Sequence, residues 1–142
     1  MRRLSFVFTV VVAVGVLWPT TLLGQELSSE QQEVWQFIER CQEALSSESE
    51  AAFDCFHEDF LGWDYRDLVP RTAEANRKFS LLLFETTETR AYDLRPIGIR
   101  VHGNVAVAHY YFQSVVRGQD GQDVEERIRW TDILPVSYTH LR

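Results

Sequence analysis

The chain has 142 residues, 45% of them hydrophobic and 25% charged, with a formal net charge of −7, a size that suits one domain. Its acids outnumber its bases 21 to 14, and Lys78 is its only lysine. That balance argues against nucleic acid or an anionic membrane surface as a partner.

The N-terminus reads as a leader. Arg2 and Arg3 precede an apolar run from Phe6 to Trp18, followed by Pro19 and the small residue Gly24, the layout of a secretory signal peptide. The run is shorter than the roughly 20 residues of a membrane span. The expectation is therefore a signal peptide over 1–24, a secreted or periplasmic product and no stable membrane anchor after cleavage; an uncleaved anchor is the alternative. Loss of 1–24 removes two positive charges and moves the formal charge from −7 to −9. Cys41 and Cys55 are the only cysteines. An exported chain permits a disulfide between them, and two buried thiols are the other reading.

Ser28 with Gln31, or Ser29 with Gln32, forms a capping box ahead of Val34, Phe37, Ile38, Cys41, Ala44 and Leu45, which recur at helical spacing. The segment SSESE (46–50) breaks this helix and caps a second one over 51–60. An extended LGWDY (61–65) and a loop follow. Thr72 caps a third helix, in which Phe79, Leu82 and Leu83 are expected to pack on a sheet. From Ala91 the period changes to two: Tyr92 and Leu94, then Ile97, Ile99 and Val101, with a slip at Pro96 that predicts a bulge. Gly103–Asn104 is a hairpin turn signal, and further strands lie over 105–116 and 123–134. Helices first and an antiparallel meander last make an α+β chain, with a domain over 25–134.

That order, with CFHEDFLGWDY, YDLRPIGIRVHGNVAVAHYYF and RWTDIL, resembles the NTF2-like superfamily, in particular its SnoaL-like and DUF4440 members. The resemblance implies an NTF2-like (cystatin-like) cone, a curved antiparallel sheet wrapped around helices with a pocket at its open end. It also implies one more strand after a TDIL-type strand. The ending VSYTHLR (136–142) resembles the translation of a sequencing-library adapter, so 135–142 is expected to be artefactual and the last strand missing.

The resemblance places Asp64 near where ketosteroid isomerases carry a catalytic carboxylate, with Trp63 and Tyr65 as apolar wall and phenol donor; the other reading puts Asp64 at the start of an exposed loop. In the last strand Val124, Ile128, Trp130 and Leu134 share the more apolar face with Glu126 and Asp132, and this face is expected to point inward. Asp132 is then an inward carboxylate, lining the pocket or serving structure. The 105–116 strand is apolar on both faces, so helices are expected to cover one and a second subunit the other, giving a homodimer through the sheet. His109 and Tyr111 are candidate pocket groups, with interface or core as the alternative. His57, Glu58 and Asp59 lack matching ligands at zinc-like spacing, so neither metal nor cofactor is expected. The reading is a pocket for a small organic ligand. The alternative is a cofactor-independent enzyme of isomerase-like or hydrolase-like chemistry, with Asp64 or Asp132 as base.

Overall fold

The computed structural model describes residues 26–64, 67–137 and 140–141. Helix α1 spans Ser29–Ser46 and a 3-10 helix spans Glu50–Cys55. Strands β1 (Leu61–Gly62) and β2 (Arg71–Thr72) pair with each other, and helix α2 runs over Ala73–Thr86. The long strands β3 (Thr87–His102), β4 (Val105–Gly118) and β5 (Asp123–Ser137) and the short β6 (His140–Leu141) form an antiparallel sheet in the order β3-β4-β5-β6. No helix among the described residues is long and apolar enough to cross a membrane.

Both capping residues act as their sequence context predicts. Ser28 Oγ accepts from the Gln31 backbone N–H at 3.3 Å, and Gln31 Oε1 accepts from the Ser28 N–H at 2.9 Å. Thr72 Oγ1 accepts from the Ala75 N–H. These bonds satisfy donors that a helix start leaves open. The second helix differs from expectation: it is a six-residue 3-10 turn ending at Cys55, capped by Ser49. Cys41 and Cys55 are joined by a disulfide, with their Cα atoms 5.8 Å apart. The bridge ties this turn to α1 and leaves it little length in which to extend.

The core lies between α1 and the sheet. Val34 and Ile38 from α1 meet Ile99 of β3 and Ala106, Ala108 and Tyr110 of β4, all buried. The two alanines let the helix backbone come close to the central strand. Gln31 Nε2 donates to the Ile99 carbonyl at 2.7 Å, fixing the first turn of α1 to β3. The expected bulge is present as a register shift between Pro96 and Gly98. It puts Ile97 on the outside while Ile99 turns inward. Gly103 takes the β3–β4 turn at φ +59°, a left-handed conformation that glycine adopts without steric cost. Strand β5 does not stop at Leu134. Pro135 pairs with Val105, and the Val136 N–H donates to the Asn104 carbonyl at 2.8 Å.

Helix α2 sits differently from the sequence expectation. Phe79, Leu82 and Leu83 are exposed, whereas Ser80 is buried and Phe84 stacks on Phe53 at 6.1 Å. The helix packs on the β1–β2 corner and only lightly on β3, so its inward face is set by that corner and by the 3-10 turn. The leucine stripe is left outside.

Candidate functional site

The inner face of the sheet holds the candidate site. Side chains alternate across a strand, so Ala106, Ala108, Tyr110, Phe112 and Ser114 of β4 share one face. Their register neighbours on β5 are Leu134, Asp132, Trp130, Ile128 and Glu126. Helix α1 covers the β3 and β4 part of this face. The β5 part is only half-covered, from Glu126 to Leu134. It makes an apolar wall of Ile128, Trp130 and Leu134, with the carboxylate of Asp132 between Trp130 and Leu134 and that of Glu126 at the far end.

Asp132 is held from the central strand. Tyr110 pairs with Trp130, and its phenol reaches diagonally to donate to Asp132 Oδ2 at 2.8 Å. Trp35 of α1 packs edge-on against the Tyr110 ring at 5.9 Å. Burial raises the Asp132 carboxyl above its ordinary value, against a lowering by the Tyr110 hydrogen bond. Burial, followed by the charge of Asp132 and the hydrogen bond to it, raises the Tyr110 phenol well above the usual tyrosine range. Desolvation disfavours a charge, so this acid takes a proton more readily than an exposed aspartate, while the phenol stays protonated as a donor.

The other sequence candidates lie in two different places. Asp64 is 5% exposed and follows β1. Its backbone N–H donates to Asp67 Oδ2 at 3.0 Å, Asp67 Oδ2 also accepts from Arg71 Nε at 2.9 Å, and the Asp67 N–H donates to the Asp64 carbonyl. Asp64 therefore stands in a tight polar corner rather than in an open loop. Trp63 points outward, and its indole N–H donates to the Asp67 carbonyl at 3.1 Å. Tyr65 lies outside the described residues.

His109 and Tyr111 fall on the outer face of the sheet, because Tyr110 between them points inward. His109 Nδ1 shares a hydrogen bond with Thr131 Oγ1 at 2.8 Å, and the Arg129 guanidinium lies over the Tyr111 ring at 5.6 Å. The structure thus puts Trp130 and Asp132 on one face of the sheet and leaves His109 and Tyr111 on the opposite face. At 57–59, His57, Glu58 and Asp59 bring their ligand atoms within 4.8 Å of one another, all three residues exposed.

Tyr110 escaped sequence reasoning because its strand is apolar on both faces. The signal was there in Ala106-x-Ala108-x-Tyr110: two alanines on one face mark where a helix approaches. A large polar-tipped residue next in line then packs its ring against the helix, at Trp35, and carries its phenol to Asp132.

A separate cleft of about 650 Å³ opens between the C-terminal half of α1 and β3, with Glu39, Glu43 and Ala44 on the helix side and Tyr92, Asp93 and Leu94 on the strand side. Tyr92 donates its phenol proton to Glu43 Oε2, and that bond chiefly pushes the phenol up to about 12.

Taken together, the helices and the curved antiparallel sheet are an NTF2-like α+β cone. By sequence, the chain matches no family model and no curated protein. Solved structures share the fold. A conserved protein from Planctomyces limnophilus aligns at 13% identity over 79% of this chain and 90% of its own, with a TM-score of 0.71. A ketosteroid isomerase-like protein from Erwinia carotovora atroseptica aligns at 11% identity over 80% and 89%, with a TM-score of 0.69. A protein from Catenulispora acidiphila, in complex with S-DNPA, aligns at 19% identity over 76% and 82%, with a TM-score of 0.61. Identities this low carry the fold and leave function to the site itself.

Proposed function

We propose that this domain holds a small, largely apolar organic molecule against the half-open β5 wall of the cone, oriented by Asp132. The observation that carries this reading is the Tyr110–Asp132 hydrogen bond beside Trp130 on the inner face. One carboxylate oxygen is engaged by the phenol, and the other oxygen is the polar contact for a ligand hydroxyl or N–H. The apolar residues around it supply burial, the usual division of labour in a small-molecule pocket. The complex of the Catenulispora acidiphila protein with S-DNPA supports a ligand role for the same fold.

A second reading makes the domain a cofactor-independent enzyme with Asp132 as the proton-transfer base. The upward shift of this carboxyl favours it, since a base works best with a pKa near the operating pH. Asp64, buried in its polar corner, is the alternative base.

The amino-terminal pattern and the Cys41–Cys55 bridge support export, to be tested by sequencing the N-terminus of secreted or periplasmic material. A homodimer through the outer face of the sheet is supported by exposed Ile97, Val105, Tyr111 and Ile133. A strict monomer by light scattering at micromolar concentration overturns that part.

The ligand site is tested with 2-naphthol, a neutral aromatic alcohol, by quenching of tryptophan fluorescence. Binding is expected to be saturable, abolished in Trp130→Ala and weakened in Asp132→Leu. Unchanged binding in both variants overturns the assignment. Turnover of any substrate that survives Asp132→Asn and Asp64→Asn alike removes the enzymatic reading in this form.

A further inference from the structure

We propose that the cleft between the C-terminal half of α1 and β3 is a second binding site, on the β3 side of the inner face and apart from the β5 wall, and that it takes a small organic cation: an amine carried on an aromatic or aliphatic body. The cleft has room for such a molecule at about 650 Å³, and a smaller cleft of about 290 Å³ adjoins it, sharing Glu43, Ser47 and Tyr92. Its lining combines charge and apolar surface in the form an amine requires.

The charge comes from three carboxylates, Glu39, Glu43 and Asp93, against one guanidinium in the larger cleft, Arg40. Arg40 lies over the Phe37 ring at 5.9 Å. Of the acids, Asp93 takes Arg95 at 2.6 Å and Glu43 takes the Tyr92 phenol. In the smaller cleft, Arg90 is held by Glu88 at 2.6 Å.

The backbone adds to the same sign. Helix α1 is 18 residues long and has no basic residue in its last turn, so the negative end of its dipole is not offset by its own side chains. That end, at Ala44 and Ser47, lines the cleft. An anion is disfavoured here by both the carboxylates and the helix end.

The apolar part is the Tyr92 ring with Leu94 and Ala44. An aromatic face beside carboxylates is a recurring receptor for ammonium groups. Tyr92 also borders an unsatisfied group. Its register partner on β4 is Ser114, 2% exposed, whose hydroxyl has no hydrogen-bond partner among the described residues. Buried hydroxyls are rarely left so. Ser114 itself lines neither cleft, so the site rests on the carboxylates, the helix end and the Tyr92 ring.

The probe is 2-phenylethylamine, with neutral 2-phenylethanol as its control, titrated into the isotopically labelled chain and followed by NMR. The amine is expected to give saturable shifts at Ala44, Tyr92 and Leu94 that weaken with added salt, and the alcohol none that saturate. Glu39→Gln and Tyr92→Leu are each expected to weaken the amine about three- to fivefold, the range of an exposed ion pair or cation–π contact. Trp130 and Ile128 report on the inner-face site in the same spectra. Shifts there instead, equal shifts from amine and alcohol, or no saturation at millimolar amine overturn the proposal. Loss of 2-naphthol binding at Trp130 leaves these outcomes unaffected, so the two sites stand or fall separately.

Discussion

The two ends of the molecule are held by different means. Where α1 meets the sheet, Val34, Ile38, Ile99, Ala106 and Ala108 are nearly free of solvent, and apolar burial does the holding. At the β1–β2 corner, Leu61, Trp63, Leu68 and Val69 face outward, and the backbone is fixed by Asp67, Arg71 and hydrogen bonds around Asp64. The 3-10 turn between them is tied to α1 by the Cys41–Cys55 bridge. The apolar end tolerates few changes of shape, while the polar corner depends on a small number of directional bonds. The candidate ligand face lies against the first, which suits a site whose geometry has to be rigid.

The contrast is open to direct attack. The largest effect is expected at the apolar end: Ile99→Ala removes a fully buried side chain and should cost about 2–5 kcal/mol, read from urea unfolding. A loss under about 1 kcal/mol, the scale of a surface substitution, would mean that the sheet does not depend on α1. Next comes the bridge. Replacing both Cys41 and Cys55 by alanine should cost about 2–4 kcal/mol for a short closed loop. In hydrogen exchange the loss of protection should concentrate in 47–60 and spare β4.

Third is the hydrogen bond in the candidate site. Tyr110→Phe leaves a buried carboxylate without its donor and should cost about 1–3 kcal/mol. It should also raise the Asp132 pKa further, measurable by carboxyl NMR titration. A pH series sharpens this. Burial holds the Asp132 carboxyl above its ordinary value in the folded chain, so on raising the pH the unfolded chain loses its proton first. Stability therefore falls as pH climbs from that value through the raised one, then levels off. Asp132→Asn should flatten this fall while keeping an acceptor for Tyr110; an unchanged pH profile would place the sensitivity elsewhere. The smallest effect is expected in the polar corner, where Asp67→Ala should cost about 1 kcal/mol. Its loss of order should be confined to 61–72 in hydrogen exchange, and a larger, global loss would erase the distinction between the two ends.

Much of the fold was legible because local chemistry and burial agree. Ser28 and Thr72 start helices, Pro96 marks the register slip and Gly103 takes the turn. The alternation in β5 separates Trp130 and Asp132 from Arg129 and Thr131. What could not be read has a common cause. Strand 105–116 is apolar on both sides, so periodicity alone could not tell Tyr110 from Tyr111 or His109; only the position of α1 decides. The same holds for α2, whose leucines resemble a core face until the corner it packs on is known. Trp63 and Asp64 depend on a loop whose bonds run over three or four residues, below the reach of any periodic pattern.

The bond from Gln31 to the Ile99 carbonyl joins residues 68 apart in sequence, while β3, β4 and β5 follow one another as a meander. The order of assembly follows from that spacing. The meander closes only short loops and is able to form early, whereas α1 has to wait for a long loop to close before Val34 and Ile38 find their partners. A chain emerging from its N-terminus makes α1 first and buries it late. In refolding followed by pulsed hydrogen exchange, amides of β4 should therefore gain protection before those of α1; simultaneous protection would show that helix and sheet condense in one step.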